Sequence, residues 1–217
     1  MCGRVSISDQ TSIAKGLHLK LANDLIRPAN INLPPIMELP VFTDDKPSEL
    51  QYLRWSLIPF WAKEKPKFST FNARIENLTE SGSWKHLLGK KHCVIITDGF
   101  YEWKKLDEKV KKKQAYLIRM KDMRFTLMAG LWDTWVDHKT GELIHSCTII
   151  TRTANEDMKE LHDRMPCLLT IQNANIWVNK ELPLPDRMLA LEPLLPNQLE
   201  MCTVQKVGDE EEYRELF

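Results

Sequence analysis

The chain has 217 residues, of which 43% are hydrophobic, and this length and composition predict a single globular domain across residues 1–217. Its 30 basic and 30 acidic side chains give zero formal charge, which excludes a protein that attracts a long polyanion through its overall field. Any contact with nucleic acid therefore has to be local. The sequence shows neither a run of roughly 20 apolar residues nor a signal peptide, so we expect a cytoplasmic protein with no membrane partner.

The five cysteines are odd in number and widely spaced, without a Cys-x-x-Cys pair or a histidine pattern typical of zinc sites. We therefore expect no disulfide, no metal and no cofactor. Cys93, Cys147 and Cys167 lie in or beside apolar runs, where a cysteine is ordinarily a small buried hydrophobic residue. Cys2 needs a separate explanation.

The first predicted element is a capped amphipathic helix. It follows a polar Ser/Asp/Gln/Thr run, shows Ile13, Leu17 and Leu21 at four-residue spacing, and should end by about Pro28. The proline-rich residues 31–43 cannot continue a helix and predict an extended loop that enters an edge strand.

Five segments of strand length are rich in β-branched and aromatic residues, which predicts a β-sheet or barrel core. They cover residues 50–58, 93–97, 115–120, 125–135 and 146–151. Between two of them, the highly charged residues 104–113 predict a solvated hairpin tip, with a phosphate-contacting arm as the alternative.

Short helices are predicted where a Ser or Asn can satisfy the unpaired amides of a first turn. They cover residues 83–88, 155–161 and 173–180, and the acidic residues 209–217 predict a small helix or a frayed end. Helices and strands alternate irregularly, without a repeat or a linker. We therefore expect an α+β fold with a barrel-like or twisted mixed sheet and short flanking helices.

Cys2 carries the most distinctive chemistry in the sequence. Removal of Met1 would leave its α-amine and its thiol on adjacent carbons, a 1,2-aminothiol at an exposed chain start. This pair condenses with an aldehyde to an imine, and the thiol then closes a five-membered thiazolidine ring. An α-amine has a pKa of about 7.7–8.0, so part of it is neutral and nucleophilic near neutral pH. The alternative is that Cys2 belongs to a loose terminus without a function.

Three further clusters place ionisable or amide groups beside apolar strand material. Glu102 lies between two aromatic residues, where burial favours the protonated acid and a role in proton transfer. His162 and Arg164 combine an acid/base group with a guanidinium fork. Asn72 and Arg74 would face the same side of an extended segment and address a sugar and a phosphate. Read singly, each of these residues also fits an ordinary structural role.

Together these clusters resemble one family, SRAP, named for SOS-response-associated peptidase and known for sensing abasic sites. The motifs follow the family's order over most of the chain. They are Met1-Cys-Gly-Arg4, Asn32-x-x-Pro35, Trp55-x-Leu-Ile-Pro59-x-Trp61, Asn72-Ala-Arg74-x-Glu76, Asp98-Gly-Phe-Tyr-Glu102-Trp-Lys104 and His162-Asp-Arg164-Met-Pro166.

The resemblance implies a β-rich α+β fold and a site that acts on abasic sites in single-stranded DNA. Cys2 would become the N-terminal residue and link covalently to the sugar aldehyde. Asn72, Glu102 and His162 would line the site. His162 would assist opening of the sugar ring and Glu102 the proton transfers, although these two roles could be exchanged.

The resemblance also implies how DNA is held. Arg4, Arg74 and Arg164 would contact flanking phosphates, and Trp61 would stack near the lesion. Three neutralised phosphates predict a slope of log affinity on log salt of about −2. We expect a monomer associated with DNA, with the replication machinery as a candidate protein partner.

The chain departs from the family pattern at two places. Ser56 stands where the family often has glycine, and residues 207–209 replace its usual Asn-containing C-terminal segment. Two other functions stay open. One is an N-terminal-nucleophile amidohydrolase, since glutamine amidotransferase domains also begin Met-Cys-Gly. The other is a non-covalent binder of single-stranded or modified nucleic acid, in which Cys2 is incidental.

Overall fold

The computed structural model describes residues 2–21, 27–107 and 112–216. These residues form many strands and few short helices, which confirms the predicted β-rich α+β class. The strands are β1 (Val5–Ile7), β2 (Lys20–Leu21), β3 (Asn30–Leu33), β4 (Glu38–Thr43), β5 (Glu49–Trp55), β6 (Asn72–Arg74), β7 (His92–Thr97), β8 (Gly99–Asp107), β9 (Lys112–Met120), β10 (Thr126–Val136), β11 (Leu143–Thr153), β12 (Arg164–Pro166), β13 (Leu168–Leu169) and β14 (Leu199–Val204). The helices are α1 (Gln10–Gly16), α2 (Ile171–Val178), α3 (Leu184–Leu189) and α4 (Glu210–Glu215), with a short 3-10 helix at Ile75–Asn77.

Five strands form a closed barrel. β5, β4, β7, β10 and β11 pair antiparallel in that order, and β11 returns to pair with β5 in parallel. The closing contact sets Ser146 beside Arg54 and Cys147 beside Trp55. Closure removes free edges from the sheet, and the barrel-like mixed sheet predicted from the sequence is confirmed.

A second sheet packs against the barrel, in the strand order β14-β9-β8-β1-β3. β7 lies between two parts of the apolar core, and all of its residues are buried. Cys93 and Ile95 belong to the apolar cluster that also contains Val5 of the second sheet, whereas Val94 and Ile96 belong to the cluster under α1 and α2. Successive side chains of a strand point to opposite faces, so a strand covered on both faces is apolar throughout.

The predicted strands are confirmed. The five segments correspond to β5, β7, β9, β10 and β11. β8 and β9 pair antiparallel as a hairpin requires, although residues 108–111 of its predicted tip lie outside the described residues. The third predicted short helix is α2, and the acidic C-terminal segment forms α4.

The first helix is shorter than predicted. It begins after Asp9, whose side chain accepts the Ser12 N–H at 3.0 Å, and ends at Gly16, a residue that favours helix ends. The chain then passes through His18, whose φ is +55°, into β2, so Leu21 belongs to a strand. Residues 22–26, over which the predicted helix would have continued, lie outside the described residues.

Three other expectations are corrected. Residues 83–88 and 155–161 fold into successive hydrogen-bonded turns rather than helices, since bonds such as that from the Lys159 N–H to the Asn155 carbonyl close single turns that are not continued. The predicted edge strand is central: β4 pairs with both β5 and β7. Pro40 is tolerated there because it pairs with Tyr52 of β5, one residue before the ladder to β7 begins.

Ser56 follows β5 beside the closing pair of the barrel and has a φ of +110°. L side chains rarely adopt this region, because Cβ crowds the backbone, and holding one there costs on the order of 1–3 kcal/mol. Glycine adopts it readily. The geometry is therefore a physical reason for the glycine that the family often has at this position.

We expect Ser56→Gly to raise the free energy of unfolding by about 1 kcal/mol, because it removes this strain. The measurement is urea unfolding of the two proteins at one pH. Ser69→Gly is the matched control, at an exposed serine whose φ is not positive, and it should lower the stability slightly. Loss of stability in Ser56→Gly as large as in the control would contradict the strain.

Candidate functional site

The pairing of β1 with β8 brings the start of the chain close to Glu102. The Tyr101 N–H donates to the Arg4 carbonyl at 2.9 Å, and one further step of this antiparallel register sets Gly3 opposite Glu102. Cys2 precedes β1 by two residues and has 0% of its surface exposed. The exposed chain start expected from the sequence is therefore wrong: Cys2 is part of the core between the two sheets.

Asn72 fixes Cys2 against the barrel. It is the first residue of β6, which pairs in parallel with β11, and its Nδ2 donates to the Cys2 carbonyl at 2.8 Å. Its Oδ1 is buried and has no hydrogen-bond partner in the part of the chain that the structure describes. A buried acceptor without a partner costs about 1–3 kcal/mol of stability, so this oxygen is suited to accept from a ligand's hydroxyl or amine.

Glu102 and His162 complete the cluster. The distance between His162 Nε2 and Glu102 Oε2 is 4.0 Å, and Glu102 is buried. Burial raises the pKa of Glu102 above its ordinary value, and the positive charge of a protonated His162 opposes this only in part. Glu102 therefore holds a proton more readily than an exposed glutamate does.

The Cys2 thiol is perturbed in the same direction. Burial raises its pKa, the charge of Glu102 raises it further, and the Arg4 backbone N–H opposes the shift. The thiol therefore stays protonated near neutral pH. An electrophile that reaches this pocket meets a neutral thiol, an acid whose pKa is raised and an imidazole.

Arg164 is engaged inside the protein. Its Nη1 and Nη2 donate to the two carboxylate oxygens of Glu76 at 2.6 and 3.0 Å, and Nη2 also donates to the Thr151 carbonyl at 2.7 Å. The residue is 9% exposed. It thereby ties β12 to β11 and to the 3-10 helix that follows β6, and two of its nitrogens are occupied in this conformation.

Arg4 is held by Asn32, which the sequence singled out only as part of a motif. Nη1 of Arg4 donates to Asn32 Oδ1 at 3.1 Å, and Asn32 Nδ2 donates to the Val207 carbonyl at 3.3 Å. Gly208 has a φ of +90°, and a Cβ there would lie 2.9 Å from Asn32 Nδ2. The segment that departs from the family pattern thus supports Arg4 through Asn32.

The loop between β5 and β6 presents aromatic side chains to solvent. Phe60, Trp61 and Phe68 are 58%, 53% and 62% exposed. The loop is fixed from beneath, where the Phe60 N–H donates to the buried Asp133 carboxylate at 2.8 Å. Trp61 and the exposed Arg74 stand outside the hydrogen-bonded cluster that the described residues form around Cys2.

Sequence reasoning found the four residues of the cluster. It gave no role to Asn32, which holds Arg4, or to Phe60, Phe68 and Asp133 in and beneath the aromatic loop. The adjacent aromatic residues Phe60 and Trp61 were a usable signal in the sequence. Large aromatic side chains that a loop exposes to solvent are uncommon unless they bind a partner. Asp133 could not be recognised from the sequence, because its hydrogen bond with the Phe60 N–H depends on how the loop between β5 and β6 folds.

The described residues contain neither a candidate metal site nor a candidate membrane-spanning helix. Within residues 2–21, 27–107 and 112–216, no three His, Cys, Asp or Glu side chains are grouped so that they could hold a metal ion. In these same ranges no helix combines the length and the apolar character needed to cross a membrane.

Comparison with known proteins identifies the family. The model of the SOS response associated peptidase (SRAP) family matches residues 1–209. The chain belongs to the SRAP family. Abasic site processing protein YoqW of Bacillus subtilis is 37% identical over 195 residues, covering 88% of this chain and 86% of YoqW. Abasic site processing protein HMCES of Xenopus tropicalis is 32% identical over 187 residues, covering 75% of this chain and 56% of HMCES.

A solved structure has the same fold. The crystal structure of a protein from Bacteroides thetaiotaomicron superposes with a TM-score of 0.86 and covers 97% of this chain and 98% of that one. Its sequence is 24% identical, so this likeness establishes the fold of the SRAP chain and nothing about its activity.

The Arg164–Glu76 pair makes folding stability depend on pH. The guanidinium of Arg164 holds the pKa of Glu76 below its ordinary value of 4.5. A carboxylate with a lowered folded-state pKa contributes stability that is present above the unfolded pKa and is lost as pH falls through the folded one. Because Glu76 is 47% exposed, solvent screens the pair and limits its contribution.

We expect Glu76→Gln to be less stable than the wild type by about 1 kcal/mol near neutral pH. The difference should shrink as pH falls below 4.5, because the carboxylate is protonated first in the unfolded chain and then, at its lower pKa, in the folded protein. Urea unfolding over a pH series measures it, with Glu64→Gln as a control at a carboxylate that is 72% exposed. A difference that does not change with pH would rule out the charge pair as its cause.

Proposed function

We propose that this SRAP protein processes abasic sites in single-stranded DNA by forming a covalent link through Cys2 after removal of Met1. The observation that carries the proposal is the grouping of Cys2 with Asn72, Glu102 and His162, through the 2.8 Å bond from Asn72 to the Cys2 carbonyl and the 4.0 Å approach of His162 to Glu102. YoqW and HMCES, both named abasic site processing proteins, support this class of lesion. Removal of Met1 is the one peptide-bond cleavage that the proposal requires.

The reaction begins with the closed sugar. In an abasic site C1′ carries a hydroxyl, and loss of that hydroxyl proton with protonation of O4′ breaks the C1′–O4′ bond and gives the aldehyde. The Cys2 amine adds to C1′, and a water molecule leaves to form the imine. The thiol then adds across the C=N bond, its proton passes to the nitrogen, and the thiazolidine ring closes. One water is released in total.

The raised pKa values suit this order of events. Because the thiol stays protonated, the amine is the first nucleophile, and the thiol acts when the imine carbon stands next to it. The raised pKa of Glu102 favours its acid form, so it can give a proton to the departing water and recover one from the nitrogen as the neutral imine forms. Asn72 holds the Cys2 backbone and offers Oδ1 to the amine or to a sugar hydroxyl.

The surface beside the cluster fits a single strand better than a duplex. Unstacked bases are available to exposed aromatic side chains, and base–aromatic stacking is worth about 1–3 kcal/mol per base. Trp61 and Phe68 lie on the loop that leads into Asn72, and Phe68 borders a cleft of about 300 Å³ with Arg54 and Lys67. This local basic and aromatic surface meets the requirement set by a net charge of zero.

The covalent link is tested with protein whose intact mass shows loss of Met1. Incubated with a single strand containing one abasic site, the wild type should give a slowly migrating band on a denaturing gel, with an intact mass equal to protein plus DNA minus one water. Cys2→Ala should lose the durable band. Cys2→Ser keeps the amine but not the thiol, so it should give an imine that survives only after borohydride reduction.

The matched control is Cys202→Ser, at a half-buried cysteine on β14, which should give the wild-type band. Absence of the band in fully processed wild type would overturn the proposal. Glutamine hydrolysis by that protein would favour the amidohydrolase instead. Equal retention of intact and abasic strands by wild type and Cys2→Ala would favour the non-covalent binder.

Salt dependence tests how the strand is held. Because Arg164 is bound to Glu76, Arg4 and Arg74 remain as the phosphate contacts, and two contacts predict a slope of log affinity on log salt of about −1.4 instead of −2. Arg74→Gln should reduce the magnitude of the slope by about 0.7. Arg124→Gln, on the turn between β9 and β10, is the control and should leave it unchanged. A wild-type slope near −2 would return Arg164 to the phosphate contacts.

A further inference from the structure

A second pocket, of about 330 Å³, lies beside the start of α1 and the strands β3, β4 and β5, and is separate from the cluster around Cys2. Apolar side chains such as Leu33 and Pro40 form part of its walls. Its volume falls within the range of small-molecule sites, about 300–1,000 Å³. Four segments of the chain supply its larger polar side chains, which are Gln10, Arg27, Glu38 and Tyr52.

The hydrogen bonds of Gln10 fix which way its amide points. Gln10 is 4% exposed, and its Oε1 accepts from the Arg27 backbone N–H at 3.2 Å and from the Tyr52 hydroxyl. A backbone N–H can only donate, so the amide atom that faces it is the oxygen. The opposite atom, Nε2, has no hydrogen-bond partner among the described residues. Its two N–H groups are therefore available to a ligand in the pocket that Gln10 lines.

Arg27 offers the pocket a flat surface and a further donor. Its guanidinium lies 5.2 Å from the centroid of the Tyr52 ring, and Nη2 pairs with Glu38 Oε2 at 2.9 Å. Its Nε is buried and lacks a partner in the part of the chain that the structure describes. A buried donor of this kind is costly until a ligand accepts from it. Nucleobases stack on guanidinium planes, and their carbonyl oxygens accept from amide and guanidinium N–H groups.

The pocket adjoins the surface proposed above for the single strand. Ile36 lines both the pocket and the cleft that contains Arg54 and Phe68. The backbone of Ile36 is held on both sides, since its N–H donates to the Trp55 carbonyl at 2.7 Å and its carbonyl accepts from Arg54 Nη1 at 3.3 Å. A strand that leaves the cleft over this exposed side chain can therefore continue into the pocket.

We propose that the pocket formed by Gln10, Arg27 and Tyr52 binds one unstacked base of the single strand. The proposal rests on the function proposed above and extends the DNA surface beyond the cleft. The base would stack on the Arg27 guanidinium, and a carbonyl oxygen of the base would accept from Gln10 Nε2. Because no phosphate is contacted here, the pocket contributes affinity without changing the dependence of binding on salt.

The first test uses an unmodified thymidine strand, which has no aldehyde and cannot form the adduct. Ala29→Trp places a large side chain at an exposed position of the pocket and should weaken binding about fivefold, the loss of one stacked base, as measured by fluorescence anisotropy. Arg27→Lys keeps the charge but not the plane, so it should weaken binding in the same way with an unchanged salt slope. Gly82→Trp is the matched control, because a Cβ there meets no atom within 4 Å, and it should bind like the wild type.

A strand of equal length built from tetrahydrofuran residues, which lack bases, shows whether the pocket reads the base. The wild type and Ala29→Trp should bind this strand equally. Nitrogen-15 NMR observes the pocket directly, with the side-chain amide signals of Gln10 assigned by their loss in Gln10→Glu. These signals should shift when the thymidine strand is added and stay in place with the baseless strand.

Three outcomes would decide against parts of this assignment. Equal binding of the thymidine strand by the wild type and Ala29→Trp, with unmoved Gln10 signals, would overturn the pocket as a base site. Tighter binding of free thymidine monophosphate than of the strand would make it a mononucleotide site and overturn its assignment to the strand. A wild type that gives no adduct with abasic DNA, yet shows the expected base-dependent binding, would reject the covalent function and leave the pocket supported.

Discussion

The structure depends most on β11 as a shared strand. Its middle pairs in parallel with β5 and closes the barrel, and its last residues pair with β6 on one side and β12 on the other. Asn72 begins β6, and Arg164 begins β12 just after His162. β5 and β6 pair with β11 in parallel one after the other, and the chain between Trp55 and Asn72 leaves the strand as a long connection. That connection is the loop that carries Trp61 and Phe68.

Burial shifts the pKa values of the cluster and also makes its polar groups costly for folding. A carboxyl group and a thiol inside an apolar core favour their neutral forms, and the buried Asn72 Oδ1 lacks a partner among the described residues. Folding alone would not favour such groups. The Arg164–Glu76 pair and the hydrogen bond from Asn72 to Cys2 stabilise the surrounding strands and hold the cluster in place.

Strands were predictable from the sequence because their composition is local. The run from Cys93 to Thr97 is apolar at most positions, and β7 is in fact buried on both faces. Gly99, which follows β7 and begins β8, is required as a glycine, since a Cβ there would lie 2.6 Å from the Ile118 carbonyl. The helices predicted at residues 83–88 and 155–161 were wrong, because caps and spacing report only a local tendency, and the backbone there forms separate hydrogen-bonded turns.

Relations between distant residues were not predictable from single positions. Arg164 looked like a phosphate ligand until its register on β11 set it beside Glu76, 88 residues earlier. The burial of Cys2 likewise follows from how the second sheet packs on the barrel, which no local pattern encodes. The motifs grouped residues that the structure brings together because family resemblance carries this long-range information, whereas composition and spacing do not.

The two departures from the family pattern both fall where the backbone is constrained. Ser56 takes a positive φ at the barrel closure, and Gly208 takes one against Asn32, the residue that holds Arg4. Position 208 is a glycine, and a side chain there would displace the Asn32 amide. At position 56 the chain has a serine instead, and the strained backbone lies beside Cys147 of β11, the strand that also pairs with Asn72. The closure of the barrel and the placement of Asn72 therefore depend on the same strand.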